Sequence, residues 1–158
     1  HYDKTRLRKK NIQGIYLQYF LKEWSYRGNA KFAKKNNMKY RENFDPVSIG
    51  THMEFAQLDT NMHIVNQMLK SIKFGFGECV DHACFDLRDG YISRNEAIDL
   101  VKKYDGKCNP KYIEEFCNVI DISIEEFWNV ANKFRGPMWG KDNQNNWINE
   151  YFGMLDKL

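Results

Sequence analysis

The chain has 158 residues and a mass of 18.9 kDa, with 42% apolar, 15% aromatic and 28% charged residues. This composition excludes a disordered, collagen-like or low-complexity chain, and no apolar run approaches the length of a membrane-crossing helix. The net charge of +3 is unevenly spread: residues 1–41 carry twelve Lys/Arg against two acids, and the remaining 117 carry twelve against nineteen.

Such an asymmetry suits a basic arm for nucleic acid or membrane, a face that docks on an acidic neighbouring domain, or a phosphorylated ligand. It equally suits a solvated lysine-rich face. Four sparse cysteines and the lack of an Asn-x-Ser/Thr site fit a reducing, cytoplasmic setting. The chain opens on His1 and not on Met, which leads us to expect sequence upstream.

In chain order, residues 1–12 read as basic and loosely held. Residues 15–24 are apolar and aromatic and fit either a short strand or a buried helix. Residues 27–37 read as a helix with Ala30, Phe32 and Ala33 inward, and 38–53 as a loop. Leu58, Met62, Val65, Leu69 and Ile72 recur at helical spacing, predicting a long amphipathic helix over 55–73 that ends at Gly75 and Gly77.

A helix over 81–89 carries Ala83, Cys84 and Leu87 and stops at Gly90. Ser93-x-x-Glu96 is a capping box opening a helix through Tyr104, with Ala97, Ile98 and Val101 inward, which Asp105-Gly106 ends. Asn109-Pro110 supplies an N-cap and a first-turn proline for a helix burying Ile113, Phe116, Cys117 and Ile120. Ser123-x-x-Glu126 is a second capping box, opening a last long helix with Ile124, Phe127, Trp128, Ala131 and Phe134 on one face. The aromatic tail from Trp139 docks back as a short helix. The fold class is mainly α, divided as 1–54 (basic segment with short helix and loop), 55–136 (helical domain) and 137–158 (aromatic tail).

Several groupings could carry chemistry. Lys73-Phe-Gly-Phe-Gly77 precedes a helix bearing Asp81: glycines permit close backbone approach, a helix start attracts anions, and Lys73 adds a point charge. The plainer reading is a helix corner with Gly as C-cap. Arg88 and Arg94 flank the turn at Gly90, and guanidinium forks bind phosphates bidentately. The alternative is surface pairing with Asp86, Asp89 or Asp99. Cys79-x-x-His82-x-Cys84 has irregular spacing for zinc, so no metal site is assigned. The acidic helices of 105–135 argue against a nucleic-acid backbone as partner. No nucleophile elbow, Walker loop or Cys/His family signature occurs, so no catalytic residue is assigned.

One resemblance draws these words together. Residues 70–77 (Lys-Ser-Ile-Lys-Phe-Gly-Phe-Gly), Asp81-His-Ala-Cys84, Asp86-Leu-Arg-Asp-Gly90, Ser93-Arg-Asn-Glu-Ala97, Lys103-Tyr-Asp-Gly106 and Glu125-Glu-Phe-Trp128 follow one another in fixed order. In order and spacing they resemble the C-terminal part of the bacterial N-acetyl sugar amidotransferases, relatives of the PP-loop ATP pyrophosphatases. These enzymes serve lipopolysaccharide, O-antigen and flagellar sugar biosynthesis. The likeness covers about 65 residues, extends loosely to 15–40, and leaves the last 20 unmatched.

The resemblance implies an α/β nucleotide-binding domain with a Ser-Gly-Gly-x-Asp-Ser loop ahead of this region, holding ATP with Mg. It implies that the acetamido oxygen of a nucleotide-linked sugar is activated as an adenylate. Ammonia from a glutaminase subunit, delivered through a cyclase-like channel subunit, then displaces AMP and leaves an acetamidino group. It places Lys73, Gly75, Gly77, Asp81, Arg88 and Arg94 at the substrate or nucleotide site. The chain departs from the family at Glu78, where a basic residue is expected. By itself the chain is expected to be inactive. The rival readings are a nucleic-acid-binding or a protein-docking helical module.

Overall fold

The computed structural model describes residues 3–21 and 24–155. The protein is mainly helical, and the described residues hold one small two-stranded sheet. It packs as two units, the first ending at Met38 and the second beginning at Lys39.

In the first unit, Asp3 caps α1 (Lys4–Lys9) by accepting the Thr5 N–H at 2.9 Å. Ser25 Oγ caps α2 (Tyr26–Lys35) through the Gly28 N–H at 2.9 Å. Between them, the apolar segment expected as strand or buried helix forms only a 3-10 turn at Leu17–Phe20 with its side chains outward. Lys22 and Glu23 of that segment lie outside the described residues. Phe32, expected inward on α2, is exposed. The physical reason is common to both: no described residue before Ile49 is buried, so this unit has no interior to receive them.

The second unit begins its core with α3 (Pro46–Ile49), a short helix inside the expected loop, capped by Asp45 and Pro46. The expected helix over 55–73 starts only at α4 (Met62–Phe74). Upstream, Gln57 takes a left-handed φ of 56° and breaks the helical path, so the spacing of Leu58 is coincidental. Gly75, at φ 84°, ends α4 as a left-handed cap.

Next come α5 (Glu78–Arg88), α6 (Arg94–Tyr104), α7 (Pro110–Ile120) and α8 (Ile124–Lys133). The Ser93–Glu96 capping box forms in both directions. Asn109 caps α7 through the Lys111 N–H at 3.1 Å, and Ser123 caps α8 through the Glu126 N–H at 3.0 Å; of the box expected there only this half forms. The tail is β1 (Trp139–Lys141) paired antiparallel with β2 (Trp147–Asn149), then α9 (Glu150–Leu155). The hairpin was not expected; strands of three residues are too short to show a period.

The main core joins Ile64, Val65, Met68 and Ile72 of α4 with Tyr112, Ile113 and Cys117 of α7 and Phe127 and Ala131 of α8. A smaller cluster joins Ala83 of α5 to Ala97 and Val101 of α6, with Phe152 and Leu155 against it. Ile120, Ile124 and Phe134, expected inward, are largely exposed. Ile120 and Phe134, with Leu69, Ile72, Phe116, Phe127 and Val130, line an apolar groove of about 470 Å³ between α4, α7 and α8.

Candidate functional site

The chemistry-bearing residues gather around α5, and its faces differ in kind. Cys79, His82 and Asp86 fall three, four and seven positions apart, so a helix sets them on one face. That face is buried against residues 51–63. His82 Nδ1 meets Thr51 Oγ1 at 2.6 Å, and His52 Nε2 meets Asp86 Oδ2 at 2.9 Å. Cys79 Sγ sits 3.6 Å from His52 Nδ1. At the edge, Glu78 lies 3.7 Å from His63 and 3.8 Å from His82 and accepts from the Gln57 side-chain amide. Cys84, five residues beyond Cys79, points to the opposite side and is exposed, which separates the Cys-x-x-His-x-Cys word into two faces.

Thiol, imidazole and carboxylate stand here in the order of a nucleophilic triad. The geometry supports no nucleophile. Cys79 is fully buried, burial pushes its thiol up to about 12, and its proton reaches the Leu100 carbonyl at 3.6 Å. A reactive cysteine needs a thiolate and access. His82 is held down to about 4, by burial first and by the neighbouring His52 second, and is therefore neutral at pH 7. The neutral ring shares one hydrogen bond with the Thr51 hydroxyl through Nδ1. Among the described residues, no group of three or more His, Cys, Asp or Glu side chains is placed to hold a metal ion.

The glycine corner between α4 and α5 is occupied from within. The Gly77 N–H donates to Asp105 Oδ2 at 2.6 Å and the Val80 N–H to Asp105 Oδ1 at 3.3 Å. Burial raises the Asp105 carboxyl to about 6, against the hydrogen bonds from these amides. A side chain at Gly77 would press on that carboxylate. The carbonyls are taken as well. Trp139 Nε1 donates to Ser71 O at 3.0 Å, the Gly136 N–H to Ile72 O at 3.2 Å, and Asn149 Nδ2 to Gly75 O at 2.7 Å. The amide expected to face an anionic ligand thus faces the chain's own aspartate, and Gly75 and Gly77 serve a packed corner.

The remaining expected residues are not brought to a single point. Lys73 is exposed at the end of α4, over the Phe74 ring at 5.2 Å, and lines the apolar groove. Asp81 pairs with Lys70 at 2.7 Å, and Lys70 also reaches Gly77 O at 3.4 Å. Lys70 and not Lys73 is therefore the cation at the corner. Arg88 and Arg94 are exposed on either side of the α5–α6 turn. Arg88 Nε donates to Cys84 O at 3.2 Å, and Arg94 lines a pocket of about 190 Å³ with Cys84, Leu87 and Tyr151. Among the described residues neither guanidinium forms an ion pair. Asp86, one of the partners weighed for them, is committed to His52.

Sequence reasoning missed His52, His63, Glu78 and Asp86 as parts of one network. The partners lie about thirty residues apart, and only the buried polar spacing on α5 hinted at them.

The helical unit that begins at Lys39 coincides with a family boundary. The family described as LPS biosynthesis protein WbpG-like, C-terminal domain, matches residues 39–152. No curated protein and no solved structure matches the chain. No helix among the described residues is long and apolar enough to cross a membrane. The chain therefore belongs to the WbpG-like C-terminal domain family of LPS biosynthesis proteins.

Proposed function

We propose that this chain is the C-terminal region of an ATP-dependent amidotransferase acting on a nucleotide-linked N-acetyl sugar, in which the acetamido oxygen is replaced by nitrogen. The observation that carries the reading is Arg88 and Arg94 on either side of the α5–α6 turn, without ion pairs among the described residues and with Arg94 at a pocket, in a domain whose family serves LPS biosynthesis. Two exposed forks flanking one turn suit the oxygens of a sugar-nucleotide diphosphate, and charge-assisted bonds of this kind are roughly twice as strong as neutral ones. Asp81, held by Lys70, fixes the start of α5. Lys73 supplies a second basic position at the groove.

ATP, when bound, supplies the leaving group for the oxygen. The filled N-terminus of α5 does not fit its phosphates, so on this reading ATP and Mg are held by a PP-loop domain. Ammonia would come from a glutaminase through a channel subunit.

The test is to incubate the complete protein with ATP, Mg, ammonium chloride and UDP-N-acetylhexosamines. The expected products are AMP, pyrophosphate and a sugar in which mass spectrometry shows one oxygen exchanged for NH. The 158-residue chain alone should release no pyrophosphate. Turnover by this chain alone, or a complete protein that yields neither product with any such sugar, refutes the proposal.

A further inference from the structure

The pocket at Arg94 lies between α5, α6 and the last helix, α9. Most of its lining is apolar: Val80, Ala83 and Leu87 come from α5, Ile98 and Val101 from α6, and Leu155 from α9. Polar groups enter it from three side chains, the Cys84 thiol, the Arg94 guanidinium and the Tyr151 phenol. Among the described residues none of these three groups has a hydrogen-bond partner.

Size and lining narrow what such a pocket holds. At about 190 Å³ it is smaller than the roughly 300–1,000 Å³ that encloses a whole small-molecule ligand. It therefore has room for one ring and not for an entire sugar nucleotide. A hexose carries hydroxyls around its whole rim, and walls of aliphatic carbon would leave most of them unpaired. A nucleobase has two faces that stack and keeps its donors and acceptors on its edge. That distribution matches aliphatic walls, one aromatic side chain and three uncommitted polar groups. Arg88 stands next to the same wall, because its Nε is bonded to the carbonyl of Cys84. Its remaining guanidinium nitrogens form no hydrogen bond among the described residues.

We propose that this pocket holds the base of the sugar nucleotide, a single-ring pyrimidine, with the diphosphate running over Arg94 toward Arg88 and the sugar leading away from the domain. The inference rests on the amidotransferase reading for the kind of ligand. It adds that this region grips the nucleotide end and leaves the reacting acetamido group to another part of the complete protein.

The experiment titrates UDP, ADP and N-acetylglucosamine 1-phosphate into the 158-residue chain by calorimetry. In parallel it times the alkylation of Cys84, the exposed cysteine of the four, by N-ethylmaleimide, with mass spectrometry to locate the label. UDP should bind and slow the labelling of Cys84. ADP and the sugar phosphate should do neither at the same concentration. Tyr151→Ala should weaken UDP binding about tenfold or more, the share of one aromatic contact with a base. Cys84→Phe, which fills the pocket from an exposed position, should abolish it. Unchanged melting temperatures show that both variants keep the fold. Three results overturn the proposal: no binding of UDP by the chain; protection of Cys84 by ADP or the sugar phosphate equal to that by UDP; or UDP binding unchanged in both variants. A complete protein that forms the sugar amidine with an unaltered KM as Cys84→Phe strikes the pocket alone. A chain that binds UDP as expected, in a complete protein that forms no amidine, strikes the amidotransferase reading alone.

Discussion

The inner face of α5 and the turn at its far end both carry polar, ionisable side chains, to opposite effect. On the inner face, Cys79, His82 and Asp86 are buried, and they are joined by hydrogen bonds with the partly buried His52 and the buried Thr51. At the turn, Arg88 and Arg94 are exposed and lack a carboxylate partner among the described residues. The first arrangement has spent its hydrogen-bonding capacity on the fold, and the second leaves most of its donors uncommitted, Arg88 Nε excepted. A catalytic-looking order of side chains is therefore less informative than which of them remain unpaired and reachable.

The largest effect that tests this contrast is on stability. Asp86→Ala leaves the largely enclosed His52 without its carboxylate and should cost about 3–5 kcal/mol by chemical denaturation. Replacing both partners, Asp86→Leu with His52→Leu, should recover much of that loss, because the penalty lies in an unpaired polar group and not in the absence of the pair. A double replacement that is as damaging as Asp86→Ala would show that the pair does more than fill space.

The next effect is a pH dependence. His82 falls from 6.5 in the unfolded chain to about 4 in the fold. The unfolded chain then binds more protons over that interval, so stability is complete above pH 6.5 and drains as pH falls to 4. The loss amounts to about 3 kcal/mol. Asp105 acts in the opposite sense: raised from 3.8 to about 6, it favours the fold as pH falls through that range. The two groups should nearly cancel between pH 4 and 6. His82→Asn, whose amide can donate to or accept from the Thr51 hydroxyl, removes one arm. Compared with the wild type, its denaturation free energy should gain with falling pH by about 3 kcal/mol. Parallel curves for the two proteins would mean that His82 is not held neutral.

A smaller effect concerns the helix that positions Arg94. Ser93→Ala removes the N-cap and should cost about 1 kcal/mol in a thermal melt, with the Glu96 half of the box left unpaired. No change in melting would mean that α6 is held by its packing on α5 alone.

What the sequence disclosed was local. Ser93, Asn109-Pro110 and Gly75 act on the turn in which they sit, so their roles as caps are legible in the neighbouring residues alone. The His52–Asp86 and Thr51–His82 contacts join a loop to a helix, and no spacing rule links residues so far apart. Asp105 was legible as the end of α6 but not as the carboxylate that fills the start of α5, for the same reason. The segment over 15–24 misled because apolar composition says that a surface is to be covered, not by what. The arginines at 88 and 94 were legible as a pair flanking a turn; only burial and the commitment of Asp86 to His52 showed them without a carboxylate.

The most direct measurement is the double charge reversal Arg88→Glu with Arg94→Glu in the complete protein, assayed for sugar-amidine formation alongside a thermal melt. The account predicts a melting temperature within about 2 °C of the wild type, as for an exposed site free of buried partners. It predicts a fall in kcat/KM of about 100-fold or more, the loss expected when two charge-assisted contacts go. Full activity in the folded double variant would contradict the account and remove α5's outer end from the substrate site.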